Sequence, residues 1–313
     1  MRITMIFSGA VMKKPLVIGI GEILWDMLPS GRQLGGAPAN FAWFASALGA
    51  RSCIVSAVGR DRDGRDILGR LKKMGLSRRY IARDSARPTG LVAVALDRDG
   101  KPEYDIRRNA AWDFIRMTPE LRALAGRADA VCFGSLAQRS PASRAAIRCF
   151  LSHVPARALR VFDINLRQSF YSRATVEALL GLANIFKLND EELVTVARML
   201  RLRGGEQELA ASLMRRFRLE AVALTRGSRG AVLYCREGSF EAAALAPMVV
   251  DTVGAGDSFA AAIVMGFLNG AGRQATVESA NRLAAFVCGQ RGATPVLARS
   301  VLKDLRPIAR RQK

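Results

Sequence analysis

Histidine is nearly missing from this chain of 313 residues; His153 is the single one, and at the end of a helical pattern beside Val154 and Pro155 it reads as structural rather than catalytic. Cysteine is sparse as well. Cys53, Cys132, Cys149, Cys235 and Cys288 are odd in number, isolated, and mostly inside apolar runs. That pattern argues against a disulfide framework or a zinc site and fits small buried thiols in a reducing compartment, so the chain reads as cytoplasmic. No apolar window approaches the ~20 residues needed to span a bilayer, and no membrane partner is expected. The opening "MRITMIFSGAVMKKPLVIG" is too short in its apolar part for a signal peptide. Residues 1–12 read as a disordered tail, with Met12 a second candidate start beside Met1.

Acidic residues are the other shortage: 27 Asp and Glu stand against 48 Lys and Arg, a net charge of +21, and only eight of those 48 are lysine. The arginines form doublets such as Arg78-Arg79 and Arg215-Arg216 and a basic tail from Arg306 to Lys313, without one long run. Aromatic residues, 7% of the chain, do not interleave with them as stacking platforms for nucleic acid would. A solvated, arginine-biased surface therefore accounts for the charge, with no nucleic-acid partner expected. A basic nucleic-acid-binding or regulatory protein without turnover is the reading from another class. Such a field would still draw in nucleotides and sugar phosphates.

What is present is a βαβ rhythm. Short apolar runs at 15–21, 52–59, 129–135, 160–165, 184–189 and 221–227 alternate with helical patterns such as Ala39–Leu48, Pro141–His153, Asp190–Leu200 and Glu206–Phe217. A largely parallel sheet with helices on both faces follows. No linker or repeat divides it, so one domain over 1–313 is expected. Residues 89–114 break the rhythm, reading as two strands about a turn at Asp99-Gly100; with residues near 22–34 they predict a small sheet serving as a lid. Polar residues end the core strands at Gly134-Ser135, Asp163 with Asn165, Lys187 with Asn189, and Thr225 with Gly227. Each suits an ordinary turn, but together they mark the edge where doubly wound sheets bind ligands.

The stretch "DTVGAGDSF", Asp251 to Phe259, lies between "LAPMVV", read as a strand, and an apolar helical face of Phe259, Ile263 and Phe267. A Gly-Ala-Gly turn at a helix start leaves unpartnered N–H groups and a positive dipole end that suit an oxyanion. On this motif alone Asp257 reads equally as a helix-starting residue and as a base beside a phosphoryl acceptor. No G-x-x-x-x-G-K-[ST] occurs, and Phe259 stands where a dinucleotide fingerprint needs glycine.

"DTVGAGDSF" closely resembles the C-terminal signature of the ribokinase family, the PfkB-type carbohydrate kinases. Residues 35–67, from "GGAPAN" onward, resemble the family's sugar-side glycine motif, and the intervening motifs fall in the family's order from about Pro15 to Leu305. The resemblance implies an α/β ribokinase-like fold with a largely parallel sheet and a small β lid. It implies ATP-dependent phosphorylation of a sugar hydroxyl, with ATP, Mg2+ and in some members K+. Carried over, it makes Asp257 the catalytic base and Gly254, Ala255 and Gly256 the anion hole. It puts Asp26, Gly35, Gly36 and Asn40 on the sugar hydroxyls, although Asp26 by itself reads as a loop carboxylate in water.

"DINLR" is similar to the family's Asp-Pro-Asn-x-Arg segment, with Ile164 in place of proline, and directs Asn165 and Arg167 toward the phosphate path. Asn189 to Glu192 matches the Asn-x-x-Glu element that helps hold magnesium through water, with Lys187 nearby. Thr225 and Gly227 match the nucleotide strand end, and Asn281 the adenine pocket. Asp251, with carbonyls of its loop and of "GQRGATP", matches a monovalent-cation site; Val253 departs from a common threonine. "GEILWDMLP" and "GGAPAN" look most like fructokinases, implying fructose phosphorylated at O6. Nucleosides, or a sugar acid of the 2-keto-3-deoxygluconate type bound through Arg108, are the alternatives. Lids of this kind in the family often pair into homodimers.

Overall fold

The computed structural model describes residues 14–28, 31–96, 102–245, 248–305 and 308. The expected tail over residues 1–12, the choice between Met1 and Met12, the turn at Asp99-Gly100 and most of the basic tail from Arg306 lie outside them. Each predicted core run forms a strand. In chain order these are β1 (Leu16–Ile20), β2 (Leu24–Leu28), β3 (Gly31–Gly35), β4 (Arg51–Gly59), β5 (Ile81–Asp84), β6 (Gly90–Leu96), β7 (Pro102–Ile106), β8 (Ala130–Gly134), β9 (Leu159–Asp163), β10 (Ile185–Asn189), β11 (Ala221–Thr225), β12 (Ala231–Cys235) and β13 (Gly238–Ala242). Nine of them make one sheet in the order β13-β12-β11-β10-β9-β8-β1-β4-β5. From β11 to β5 all neighbours are parallel, and β12 and β13 return antiparallel at one edge.

Both faces of this sheet are covered, which is why its strands read as unbroken apolar runs. Period-two alternation sends Ile18, Phe133, Phe162 and Phe186 to one face and Val17, Cys132, Val161 and Ile185 to the other. On the first face the three phenylalanines stack in a row, with centroids 5.6 and 5.4 Å apart. On the second lies the Ala255–Leu268 helix, buried on every side from Asp257 to Gly266 and packed between the Ala37–Ala47 and Arg273–Cys288 helices. Its sequence promised one apolar face, but a helix enclosed by sheet and two helices has no polar side.

The second sheet has the order β3-β2-β6-β7, all antiparallel except the parallel pair β2 and β6. The chain reaches it from β1 through Gly21, Glu22 and Ile23 and returns through Gly36 into the Ala37–Ala47 helix. Gly36 has φ 110°, and a Cβ there would lie 2.5 Å from the Glu22 carbonyl oxygen, so the outgoing and returning chains touch only because glycine stands at 36. One expected strand is not formed. Among the described residues of "LAPMVV", Met248, Val249 and Val250 are irregular and exposed, since the Val250 and Asp251 amides bond to the Cys288 carbonyl rather than to a sheet neighbour.

Arg139, just past β8, ties the small sheet to the large one. It is bonded to Asp113 at 2.8 Å, donates to the carbonyls of Ile106 and Arg107, and stacks on Trp112 and Phe170. Both members of the ion pair are almost fully buried. Removing one strands the other charge, at a cost of about 3–5 kcal/mol. Asp113→Ala is accordingly expected to lower the melting temperature by on the order of 5 to 10 °C, read by thermal denaturation.

Candidate active site

The carboxyl ends of β1, β9 and β10 and the start of the Ala255–Leu268 helix converge on one group of charged side chains. Gly254, with φ 82°, is the N-cap of that helix; a Cβ there would lie within 2.1 Å of the Ala293 carbonyl oxygen, so only glycine permits the turn. The Ala255 amide donates to Thr252 O at 3.3 Å. The amides of Gly254, Gly256 and Asp257 have no acceptor among the described residues, so donors remain open on both sides of Ala255.

Asp257 makes no capping hydrogen bond to its own helix. It is 9% exposed, and its Oδ2 accepts a 2.8 Å hydrogen bond from Asn40 Nδ2, a residue 217 positions earlier. Burial pushes its carboxyl above the ordinary aspartate range, with Asn40, Lys187 and Arg167 pulling the other way. Lys187 Nζ lies 3.0 Å from Asp163 Oδ1 and 2.8 Å from where a Cβ on Gly256 would stand. A buried ammonium therefore faces the glycine turn. Burial works against that charge, yet Asp163 and Glu192 outweigh it and hold Lys187 above its ordinary value. Burial, offset by Lys187 and reinforced by Asp257, pushes Asp163 up to about 7.

Asp26 and Asn40, which the family resemblance assigns to the acceptor, meet the same group. Asp26 lies over Gly35, where a Cβ would come within 2.0 Å of its Oδ2. Burial raises its carboxyl to about 6 while Arg167 opposes, so it is not the freely hydrated carboxylate that its loop-like sequence suggests. Arg167 is exposed and also acts on Glu22 and Asp257. Asn165 adopts φ 41°, and its carbonyl accepts from Ser135 Oγ at 3.5 Å. Asn189 and Glu192 form a capping box: Asn189 Oδ1 accepts from the Glu192 amide at 2.7 Å and Glu192 Oε2 from the Asn189 amide at 2.9 Å. Glu192 Oε1 accepts from the Leu166 amide at 2.9 Å, which moors "DINLR" to that helix.

The remaining predicted residues have other immediate neighbours. Asp251 Oδ1 and Oδ2 accept from the Val253 and Gly292 amides at 3.0 and 3.1 Å, joining the two loops. Arg108 stacks on Phe170 at 4.9 Å, and Asn281 donates to Ala243 O at 2.8 Å. Thr225 ends β11, half-buried, and Gly227 follows at φ 56° in open space.

Two residues escaped the sequence reading. Asp163 reads in sequence as a strand end, and its pairing with Lys187 comes from the neighbouring strands β9 and β10. Glu22 carries no signal of its own inside "GEILWD". It is 4% exposed, its Oε2 has no hydrogen-bond partner among the described residues, and burial, with Asp257 adding to it, pushes its carboxyl up to about 7.

Residues 31–299 match the family model described as pfkB family carbohydrate kinase. An Arabidopsis thaliana protein named "Probable fructokinase-5" is 29% identical, over 90% of this chain and 94% of its own length. The ATP-bound fructokinase of Xylella fastidiosa superposes with a TM-score of 0.80 at 23% identity, over 93% of this chain and 97% of that one. The sugar kinase PH1459 of Pyrococcus horikoshii in complex with ATP gives 0.74 at 27% identity, over 94% and 99%.

Gly256→Ala drives a methyl against the flexible end of Lys187, so it is expected to lower kcat/KM about 10- to 100-fold while moving the melting temperature little; steady-state kinetics and thermal denaturation read the two. Glu22 gives a pH test. Its carboxyl rises from an ordinary 4.5 to about 7 in the fold. Its neutral form is favoured by folding, so that contribution is complete below pH 4.5 and lost as pH rises through 7. Glu22→Gln should leave stability unchanged near pH 4 and raise it at pH 8 by up to about 3 kcal/mol, measured by denaturation at the two pH values.

Proposed function

Given that this chain belongs to the pfkB family of carbohydrate kinases, an ATP-dependent carbohydrate kinase, we propose that its acceptor is the O6 hydroxyl of fructose and that Asp257 is the general base. The observation that carries the assignment of the base is the Asp257 carboxylate itself, buried at a helix N-terminus and held by Asn40 at 2.8 Å. Buried with its carboxyl above the usual range, it is a stronger proton acceptor than an exposed aspartate. Asn40 fixes Oδ2, which leaves Oδ1 for the sugar proton. In a loose phosphoryl-transfer transition state that proton leaves late, and the charge gathers on the migrating phosphoryl group. The Gly256 and Asp257 amides, the helix dipole and the Lys187 ammonium supply positive potential where that charge appears.

On the acceptor side Asp26 and Asn40 receive and donate hydrogen bonds to sugar hydroxyls, with Gly35 giving the Asp26 carboxylate room and Gly36 letting the chain turn against Glu22 into the helix that carries Asn40. Arg167 borders both acceptor and phosphate. Asn165, Asn189, Thr225 and Gly227 border the ATP phosphates and ribose, and Asn281 the adenine. The lid, from β2, β3, β6 and β7, excludes water over the sugar. Among the described residues no group of three or more His, Cys, Asp or Glu side chains is arranged to hold a metal ion. That donor set suits magnesium carried on the ATP phosphates within its own water, bordered by Glu192 and Asn189, where it would draw charge from the phosphates. A potassium ion would be held by backbone carbonyls of the loops that Asp251 joins. Fructose is favoured by the fructokinase names of relatives near 29% identity.

Asp257→Asn is expected to lower turnover by about two to four orders of magnitude with nucleotide affinity within a few-fold, read by ADP release and calorimetry. In the same ADP assay fructose should exceed 2-keto-3-deoxygluconate and adenosine in kcat/KM; a preference for either of those reverses the acceptor assignment.

A further inference from the structure

The opposite edge of the main sheet holds a second concentration of charge. A cavity of about 530 Å³ there is lined by Lys14, Pro15, Arg51, Gly126, Arg127, Asp129, Arg157 and Leu268. It sits where β1, β4, β8 and β9 begin, whereas Asp257 lies where β1, β9 and β10 end. Five-residue strands at ~3.3 Å per residue separate the two by roughly 17 Å.

The buried Lys187 and Arg139 are each paired with an acid, Asp163 and Asp113. The amino-edge cavity instead gathers four exposed cations around one acid. Its one acid, Asp129, gives Oδ2 to the Leu16 amide at 2.7 Å, locking the start of β1. Among the described residues Arg127 alone of its four cations has a side-chain hydrogen bond, from Nε to Ala123 O at 3.2 Å, closing the Pro119–Ala125 helix. Among the described residues no carboxylate lies within 4.0 Å of Lys14, Arg51 or Arg157. Three uncompensated cations around one concavity repel one another, and an anion placed between them turns that repulsion into attraction.

We propose that this cavity is a second anion site, distinct from the catalytic one, for a small metabolite carrying two phosphates or a diphosphate group. The charge argues for the class: three free cations match a ligand of charge about −3, more than one phosphate brings at neutral pH. The volume argues for the size, since about 530 Å³ falls in the range of small-molecule sites. A nucleic acid is the weaker match, because the lining holds no aromatic side chain for a base to stack on.

Inorganic pyrophosphate is the probe, titrated into the full-length protein by calorimetry in magnesium-free buffer. The comparison is between wild type, the double variant Arg51→Gln/Arg157→Gln, and a control, Arg198→Gln/Arg215→Gln. The control removes two exposed cations from the Asp190–Leu200 and Glu206–Phe217 helices, outside both basic cavities. Wild type should bind with one site more than the Arg51→Gln/Arg157→Gln protein, or at least about 10-fold more tightly at that site, and the control should match wild type. Unchanged melting temperature and sugar-kinase turnover in the double variant show that it is folded. Pyrophosphate binding of equal stoichiometry and affinity in wild type and double variant overturns the proposal, as do an equal loss in the control and a wild type that binds none at this site.

Discussion

A carboxylate kept out of water beside a buried ammonium is the constraint around which this molecule is arranged. Asp257 and Lys187 are both nearly sealed, and neither would remain charged there alone. Asn40 and the helix N-terminus hold the first; Asp163 and Glu192 hold the second. The glycine turn brings backbone close to both: Gly254 meets the Ala293 carbonyl at a distance no side chain would allow, and Gly256 faces the movable end of Lys187. Stability is lower for this arrangement than for an apolar core of the same shape, as at sites built for chemistry.

The fold supplies these groups from parts of the chain far apart. The crossing from β1 into the small sheet and back through Gly36 sets Glu22, Asp26 and Asn40 on one side of Asp257. β9, β10 and the "DINLR" segment moored by Glu192 set Asp163, Lys187 and Arg167 on the other. Two separate sheets are thus joined by the residues that gather around Asp257, and the Arg139–Asp113 pair also links them. The electrostatic environment of Asp257 therefore depends on both sheets.

The arginine excess divides along the same lines. Many arginines are neutralised by neighbouring acids, such as Arg32 by Asp63 and Asp66, or serve as helix and strand ends, such as Arg160 on the carbonyls of Leu182 and Pro155. Others, Arg51 and Arg157 at the amino edge among them, have no carboxylate within 4.0 Å among the described residues. Composition alone reports only the sum of these populations.

Much of the architecture was legible in the residues. Strand runs with apolar residues on both faces, helices with caps such as Asn189, and the Gly-Ala-Gly turn obey rules that act within a few positions, so the α/β layering, the small sheet and the helix start at Gly254 could be read directly. "LAPMVV" misled because β-branched composition signals a strand only where a sheet edge is free to receive it. The environment of each charge was decided by the tertiary structure alone. Burial and partnership depend on what packing brings from hundreds of residues away. The same Asp that reads as either cap or base becomes a buried acceptor when Asn40 arrives 217 positions out of register, and Glu22, unremarkable in its loop, becomes a dry carboxylate with one oxygen unmet.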